Sequence, residues 1–144
     1  MSLFGIFDVA CSGMEAQRIR AQLLAENIAN AETTRTPAGG PYRRKDAVFT
    51  ATPVTSDFAS VFEEAKNAMV GVAVKEVMVD SGEPERRYQP GHPDADKDGY
   101  VAFPRLNPAE EMINLQSASR GYEANVAAIN AAKDMIQKSI DLLK

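Results

Sequence analysis

Apolar residues recur at alternating spacings of three and four in two long stretches, one at each end of the chain. The N-terminal repeat comprises Phe7, Ala10, Met14, Ala21, Leu24, Ile28 and Ala31, with only Gln17 off the pattern. The C-terminal repeat comprises Met112, Leu115, Tyr122, Val126, Ile129, Ile136, Ile140 and Leu143, interrupted by Ser119 and Lys133. Heptad repeats of this length are typical of helices that pack against other helices. We therefore predict that the chain assembles through its two ends.

The N-terminal repeat predicts one long helix. It runs from about Leu3 to about Ala31 and ends in the segment 32–41, because the proline and the paired glycines there interrupt helices. Gly13 lies inside this helix and is expected to weaken it by about 1 kcal/mol relative to alanine. Either a neighbour needs the space beside its backbone, or the glycine is simply tolerated.

The C-terminal helix has a well-marked start. Asn107 suits the N-cap, Pro108 suits the first helical position, and Glu110 and Glu111 interact favourably with the helix dipole in the first turn. A helix that continues to Leu143 is roughly 55 Å long at 1.5 Å per residue. Both helices greatly exceed the average length in globular proteins. Residues 42–103 are too few to cover them, so we predict that the helices pack on each other, on copies or on related chains.

The segment between the helices is predicted to be small and mostly β. Strands are expected at Tyr42–Thr50, Gly71–Val79 and Tyr100–Phe103, where β-branched and aromatic residues concentrate. Turns are expected at Glu83-Pro84 and at Pro90–Pro93, and a short helix at Ser56–Met69 with Val61, Phe62, Ala65 and Met69 on one face. The predicted fold class is α+β. Coiled-coil helices occupy residues 1–34 and 107–144, and a small β-rich domain with its linkers occupies residues 35–106.

Composition and charge narrow the class of function. The chain has 144 residues and a formal net charge of -4, which suits a nucleic-acid partner poorly. The single Cys11 excludes an internal disulfide and is expected to be a small buried hydrophobic residue. No basic residue precedes Arg18, and no apolar run approaches the roughly 20 residues of a membrane span. We expect no cleaved signal peptide, no direct membrane insertion and no nucleic-acid partner.

The segment Asp94–Val101 resembles the first eight positions of an EF-hand calcium loop, where alternate carboxylates bind the ion and a glycine permits the turn. The twelfth position requires a bidentate glutamate but holds Arg105. We therefore interpret the segment as a polar turn. His92, the only histidine, is likewise interpreted as a turn residue. No catalytic residue, metal site or cofactor is predicted.

Polar residues near the repeats can fix the register between helices, and we interpret Asn27, Asn30 and Asn125 in this way. Two basic runs, Arg43–Lys45 and Arg86-Arg87, are interpreted as a solvated face. In a polymer, they could instead pair with acidic neighbours.

Four parts of the sequence resemble one known family. They are Met1–Arg18 with Asn27–Ala31, then Pro41–Asp46, then Tyr88–Asp96 with Gly99–Val101, and finally Asn107–Met112 with Ser117–Asn125. Over nearly its whole length the chain resembles the basal-body rod proteins of the bacterial flagellum. The residues expected at an assembly interface are Phe7, Ala10, Met14, Ala21, Leu24, Ile28, Asn30, Met112, Leu115, Tyr122, Val126, Ile129, Ile136 and Ile140.

The resemblance implies a structural role. Proteins of this family are exported unfolded through the flagellar type III apparatus, without a cleaved signal, and polymerise in the periplasm into the rod that transmits torque. Their terminal helices would form the inner tube and the β-rich middle would face outward. Expected partners are copies of the chain, other rod proteins, the ring-to-rod adaptor and, transiently, the export apparatus.

Two other classes of function remain as alternatives. A soluble coiled-coil adaptor or export chaperone of a type III secretion system would pair its two helices within one chain. An enzyme or calcium sensor would depend only on the aspartate-rich segment.

Overall fold

In the described part of the chain, two long helices flank the β region in sequence, and this region consists of two separate two-stranded sheets. A computed structural model describes residues 3–53 and 70–142. Its elements are α1 (Leu3–Ala29), β1 (Lys45–Pro53), β2 (Val70–Val79), β3 (Glu85–Tyr88), β4 (Tyr100–Phe103) and α2 (Pro108–Asp141). The predicted α+β class is thereby confirmed. The short helix predicted at Ser56–Met69 lies outside the described residues, as does Leu143.

The start of α2 follows the predicted chemistry. The Asn107 side chain accepts a hydrogen bond from the backbone N–H of Ala109, Pro108 opens the helix, and Glu110 and Glu111 lie in its first turn. At the other long helix, α1 ends at Ala29, two residues before the predicted end. The chain then turns: the N–H of Ala31 donates to the carbonyl oxygen of Ile28, and the N–H of Thr33 donates to that of Asn30.

Both sheets are antiparallel. In the first, β1 pairs with β2 from Lys45 opposite Val79 to Pro53 opposite Val70, with an irregularity between Val48 and Phe49. In the second, β3 pairs with β4. Strand β3 has the sequence Glu-Arg-Arg-Tyr and all its side chains are exposed. Its lack of apolar alternation explains why the sequence predicted only the turns on either side of it.

The two helices of one chain pack against each other in antiparallel orientation. Gly13 lies against the side chain of Asn125, and Gln17 lies against Gly121, so the pairs follow opposite directions along the two helices. A Cβ added to Gly13 would lie 2.8 Å from the Asn125 Oδ1 atom. This close approach favours a glycine, because any larger residue would displace the Asn125 side chain, and it supports the first of the two interpretations of Gly13.

Small residues form much of this interface. Ala10 on α1 and Ala118 and Ala132 on α2 are buried. The β1–β2 sheet covers part of α1, since both of its strands contact that helix. Leu24, only 2% exposed, is among the largest fully buried side chains.

Cys11 is exposed on α1. The expectation that it would be a small buried hydrophobic residue is therefore wrong: it immediately follows the buried Ala10, and on a helix adjacent residues point about 100° apart. Among residues 3–53 and 70–142, no helix is long and apolar enough to cross a membrane.

Candidate assembly site

The residues expected at an assembly interface differ widely in exposure. Ala10 and Leu24 are buried within the chain. Met112, Tyr122 and Ile140 are exposed, at 56%, 41% and 47%. The others are partly buried: Phe7, Met14, Ala21, Ile28, Asn30, Leu115, Val126, Ile129 and Ile136. Some residues of the heptad repeats are therefore buried within the single chain, whereas other apolar residues of the same repeats remain exposed.

An open groove of about 420 Å³ runs beside the helix pair. Its lining includes Gln17, Ala21, Ala25, Ala118, Ser119 and Tyr122. Arg18, Gln22 and Glu123 lie at its border. Ala21 and Tyr122, both members of the predicted repeats, thus line this groove, which we call the open face of the helix pair.

Gln17, which lines this groove, contains a polar atom without a partner among the described residues. Its Oε1 atom is buried and accepts no hydrogen bond from them. A buried acceptor without a partner is costly.

A polar cluster holds the end of the helix pair at which α1 ends and α2 begins. Asn27 is fully buried, and its side-chain amide uses every bonding position. The Nδ2 atom donates to the carbonyl oxygen of Lys45 at 2.8 Å and to Oε2 of Glu111 at 2.8 Å. The Oδ1 atom accepts from the backbone N–H of Lys45 at 2.9 Å and from the hydroxyl of Tyr42 at 3.0 Å. Asn27 thereby joins α1, β1 and α2.

The negative charge in this cluster comes from Glu111, which is 2% exposed. Its second carboxylate oxygen accepts a hydrogen bond of 2.7 Å from Nε of Arg44. Arg44 also pairs with Asp46 at 3.2 Å. The hydrogen bond to Glu111 is the main reason why the pKa of Arg44 is raised. A buried carboxylate is tolerable here because both oxygens have partners.

Tyr42 completes the cluster from the loop before β1. Burial, and then the nearby negative charges of Glu26 and Glu111, raise the pKa of Tyr42 to about 12. The hydroxyl therefore stays protonated and can donate to Asn27 throughout the neutral and mildly alkaline range.

The three asparagines predicted to fix register have different surroundings. Asn27 forms the buried cluster, whereas Asn125 faces Gly13 and donates to the carbonyl oxygen of Gly121 on its own helix at 2.8 Å. Asn30 bonds only locally, to the carbonyl oxygen of Glu26 and to the Thr33 hydroxyl. A role in register stays a prediction for each, and the contacts support it best for Asn27 and Asn125.

The basic runs pair with groups of the same chain. Besides Arg44, the Nζ atom of Lys45 lies 2.6 Å from Oε1 of Glu26, and Arg43 donates to the carbonyl oxygen of Asp80. In the second run Arg87 pairs with Glu85 and lies over the ring of Phe103. From the sequence, the basic runs were interpreted as a solvated face or as partners of acidic neighbours in a polymer. The contacts in the structure add a third arrangement, in which basic side chains form ion pairs within the same chain.

The aspartate-rich segment is a turn that its own side chains organise. Oδ1 of Asp96 accepts hydrogen bonds from the backbone N–H groups of Asp98 and Tyr100, and Gly99 has a φ of 80°. His92 also lies in a turn, where its Nδ1 atom accepts from the N–H of Asp94. Both interpretations as turns are confirmed. Within the described ranges, no group of three candidate ligands could hold a metal ion.

Ala10, Leu24 and Asn125 were anticipated at the helix contacts, but Gln17, Glu111, Ala118 and Ala132 were not, although the spacing could have identified them. Ala10, Gln17 and Leu24 are seven residues apart, and so are Glu111, Ala118, Asn125 and Ala132. These two stripes face each other in the helix pair. Because they are small or polar, a search for large apolar residues passes over them and treats Gln17 as an interruption.

Two family models match the ends of the chain. "Flagella basal body rod protein" matches residues 7–35, and "Flagellar basal body rod FlgEFG protein C-terminal" matches residues 97–142. These ranges contain most of α1 and the whole of β4 and α2. The similarity therefore covers both helices.

Curated relatives match the chain over its full length. The flagellar basal-body rod protein FlgC of Borreliella burgdorferi is 39% identical, with 100% of this chain and 99% of the relative covered. The FlgC of Salmonella typhimurium is 40% identical over 99% and 98%, and that of Bacillus subtilis is 36% identical over 100% of both. The chain belongs to the FlgC family of flagellar basal-body rod proteins. FlgC proteins are structural and not enzymes, which agrees with a site made of packing surfaces.

Proposed function

We propose that the chain is a structural subunit of the flagellar basal-body rod. The observation that carries this proposal is similarity to FlgC proteins along the entire chain, at 36–40% identity. The open apolar face of the helix pair supports it, because such a face requires cover. The soluble adaptor or chaperone has no support in the family models or in these relatives.

The finer assignments are part of the same proposal. The subunit is exported without a cleaved signal through the flagellar type III apparatus and joins the proximal rod in the periplasm. Its partners are copies of itself, other rod proteins and the ring-to-rod adaptor. The helices of residues 1–34 and 107–144 supply a coiled-coil layer of the shaft, and residues 35–106 supply its outer part.

We place the assembly surface on the open face of the helix pair. Tyr122 and the small residues Ala21 and Ala25 line its groove. A groove floored by alanine permits a helix from another subunit to approach closely, and each large apolar side chain that becomes covered adds about 1.5–3 kcal/mol.

Complementation tests the function. The gene for this chain is introduced into a motile bacterium from which the FlgC gene has been deleted. Recovery of swimming, together with the chain in purified basal bodies, is the expected result. A chain that is secreted or soluble and never found in basal bodies would contradict the rod assignment and favour the adaptor.

A matched pair of variants tests the surface. Met112 belongs to the predicted interface and Ile113 does not, yet both are exposed on α2, at 56% and 67%. Met112→Asp should abolish incorporation into basal bodies while the subunit remains folded, and Ile113→Asp should reduce it far less. Leu24 is unsuitable for this test because a charge at a buried position would unfold the subunit. Equal loss in both variants would mean that the surface is wrongly placed, although the rod function would stand.

A further inference from the structure

The amide of Asn27 holds the backbone of β1 as a neighbouring strand would. It accepts from the N–H of Lys45 and donates to the carbonyl oxygen of the same residue, at 2.9 and 2.8 Å. These two bonds occupy half of the bonding capacity of the amide. The other half is used by Tyr42 and by Glu111, which α2 supplies.

The β1–β2 sheet has a second polar attachment to α1. The Ser12 hydroxyl accepts a hydrogen bond of 3.1 Å from the backbone N–H of Val72, while it donates to the carbonyl oxygen of Val9. Asn27 and Ser12 are separated by about 22 Å along a helix that rises 1.5 Å per residue. Val72 pairs with Ala51, and the strand from Lys45 to Ala51 spans about 20 Å at roughly 3.4 Å per residue. The two lengths match, so the sheet lies along α1 with both of its ends attached.

The attachment at Asn27 depends on α2. Glu111 is buried and is the only part of α2 that bonds to the Asn27 side chain among the described contacts. If α2 separated from α1, Asn27 would lose one partner and Arg44 would lose the Glu111 carboxylate at the same time. The site that holds β1 would then contain a partly unsatisfied amide beside an arginine that pairs only with the more exposed Asp46. Loss of the helix pair therefore loosens the sheet.

We infer that the cluster of Asn27, Tyr42, Arg44 and Glu111 is a conformational lock that couples pairing of the two helices to seating of the β1–β2 sheet. The helix pair and the sheet form and separate as one unit. The sheet consequently has a fixed orientation only in a chain whose two terminal helices have already met. This coupling is a property of the single chain and holds whether or not the chain is a rod subunit.

Hydrogen exchange of the full-length chain, read by mass spectrometry, tests the coupling. In the unaltered chain, peptides from β1–β2 and from the first half of α2 should open at rates within about threefold of each other, because they belong to one cooperative unit. A sheet that stays protected while α2 exchanges freely, or the reverse, would overturn the inference.

Asn27→Ala should uncouple the two parts. Exchange in β1–β2 is expected to become about tenfold faster than in residues 112–126, where the helix interface does not use this side chain. Asn30→Ala is the matched control, since Asn30 makes only local bonds, and it should leave the two rates together. Equal acceleration of sheet and helix in Asn27→Ala would overturn the lock.

A second variant covers the case in which Asn27→Ala does not fold. Glu111→Gln preserves the shape of the side chain and an acceptor for Asn27, but it removes the charge that pairs with Arg44. The ratio of sheet exchange to helix exchange should again rise above its value in the unaltered chain, by a smaller factor of about threefold. Unchanged rates in both regions would show that the carboxylate does not couple them and would contradict the inference.

Discussion

The middle of the helix pair and the end at which α1 ends and α2 begins are held together by different kinds of contact. At Gly13, Ala118 and Gly121 the helices meet through small residues and depend on shape. At Asn27 and Glu111 they meet through buried polar groups and depend on complete hydrogen bonding. Shape tolerates small changes by local movement, whereas a polar cluster leaves several groups unsatisfied when one member is removed. The polar end should therefore be the more sensitive of the two.

The largest loss is expected at the polar end. Asn27→Ala removes four hydrogen bonds, so that Oε2 of Glu111, the Tyr42 hydroxyl and the backbone of Lys45 each lose the partner that Asn27 supplied. Its free energy of unfolding should fall by about 3–5 kcal/mol. Urea unfolding followed by circular dichroism measures this value. Asn30→Ala should lose less than about 1 kcal/mol, and similar losses in both variants would remove the difference between the buried and the local asparagine.

A cavity in the apolar interior should lower the free energy of unfolding somewhat less than the loss of the Asn27 side chain. Leu24→Ala removes a fully buried side chain and should lower the free energy of unfolding by about 2–4 kcal/mol. The same urea experiment applies. If Leu24→Ala proved clearly more damaging than Asn27→Ala, apolar packing rather than the polar cluster would dominate the stability of the chain.

Added volume in the middle of the helix pair should have a moderate effect. Gly13→Ala places a methyl group against Asn125, whose side chain is held by its bond to Gly121. We expect a loss of about 1–2 kcal/mol, which includes the partial offset from the better helix propensity of alanine. At Gly121 the nearest atoms belong to the longer side chain of Gln17, so Gly121→Ala should lose less than Gly13→Ala. The opposite order would mean that Asn125 moves aside more easily than Gln17.

Alkaline pH isolates one hydrogen bond of the polar end. The pKa of Tyr42 is raised from 10.0 to about 12, so its contribution to stability is fully present below pH 10 and is lost as the pH rises through 12. Unaltered chain should lose about 1–3 kcal/mol more than Tyr42→Phe over this interval. Near neutral pH, Tyr42→Phe should cost only about 1 kcal/mol. Parallel pH curves for the two proteins would show that the hydroxyl is not held by the cluster.

The smallest effect is expected for a surface ion pair. Arg18 and Glu15 are 2.8 Å apart, but their side chains are 55% and 63% exposed. Arg18→Ala should change the free energy of unfolding by less than about 0.5 kcal/mol. Because Arg18 borders the groove, any defect in incorporation into basal bodies would then concern assembly and not folding.

Local patterns in the sequence predicted the helices well, since Asn107, Pro108 and the heptad spacing act over a few residues. Strands Gly71–Val79 and Tyr100–Phe103 were also predicted nearly in full. The polar cluster could not be predicted, because Glu111 had a sufficient local explanation as a residue that favours the helix dipole. Its burial depends on the meeting of segments that are 67 and 84 residues away in sequence. Sequence periodicity alone does not specify such a meeting.

The stripe of small residues also determines how closely the axes of the two helices can approach. Helices that meet through glycine and alanine approach the lower end of the usual range of about 8–10 Å between axes. Little side-chain material then lies between the two backbones. A shaft wall built from such pairs would have few compressible layers, so that a twist applied at one end would be carried along it with little internal yielding.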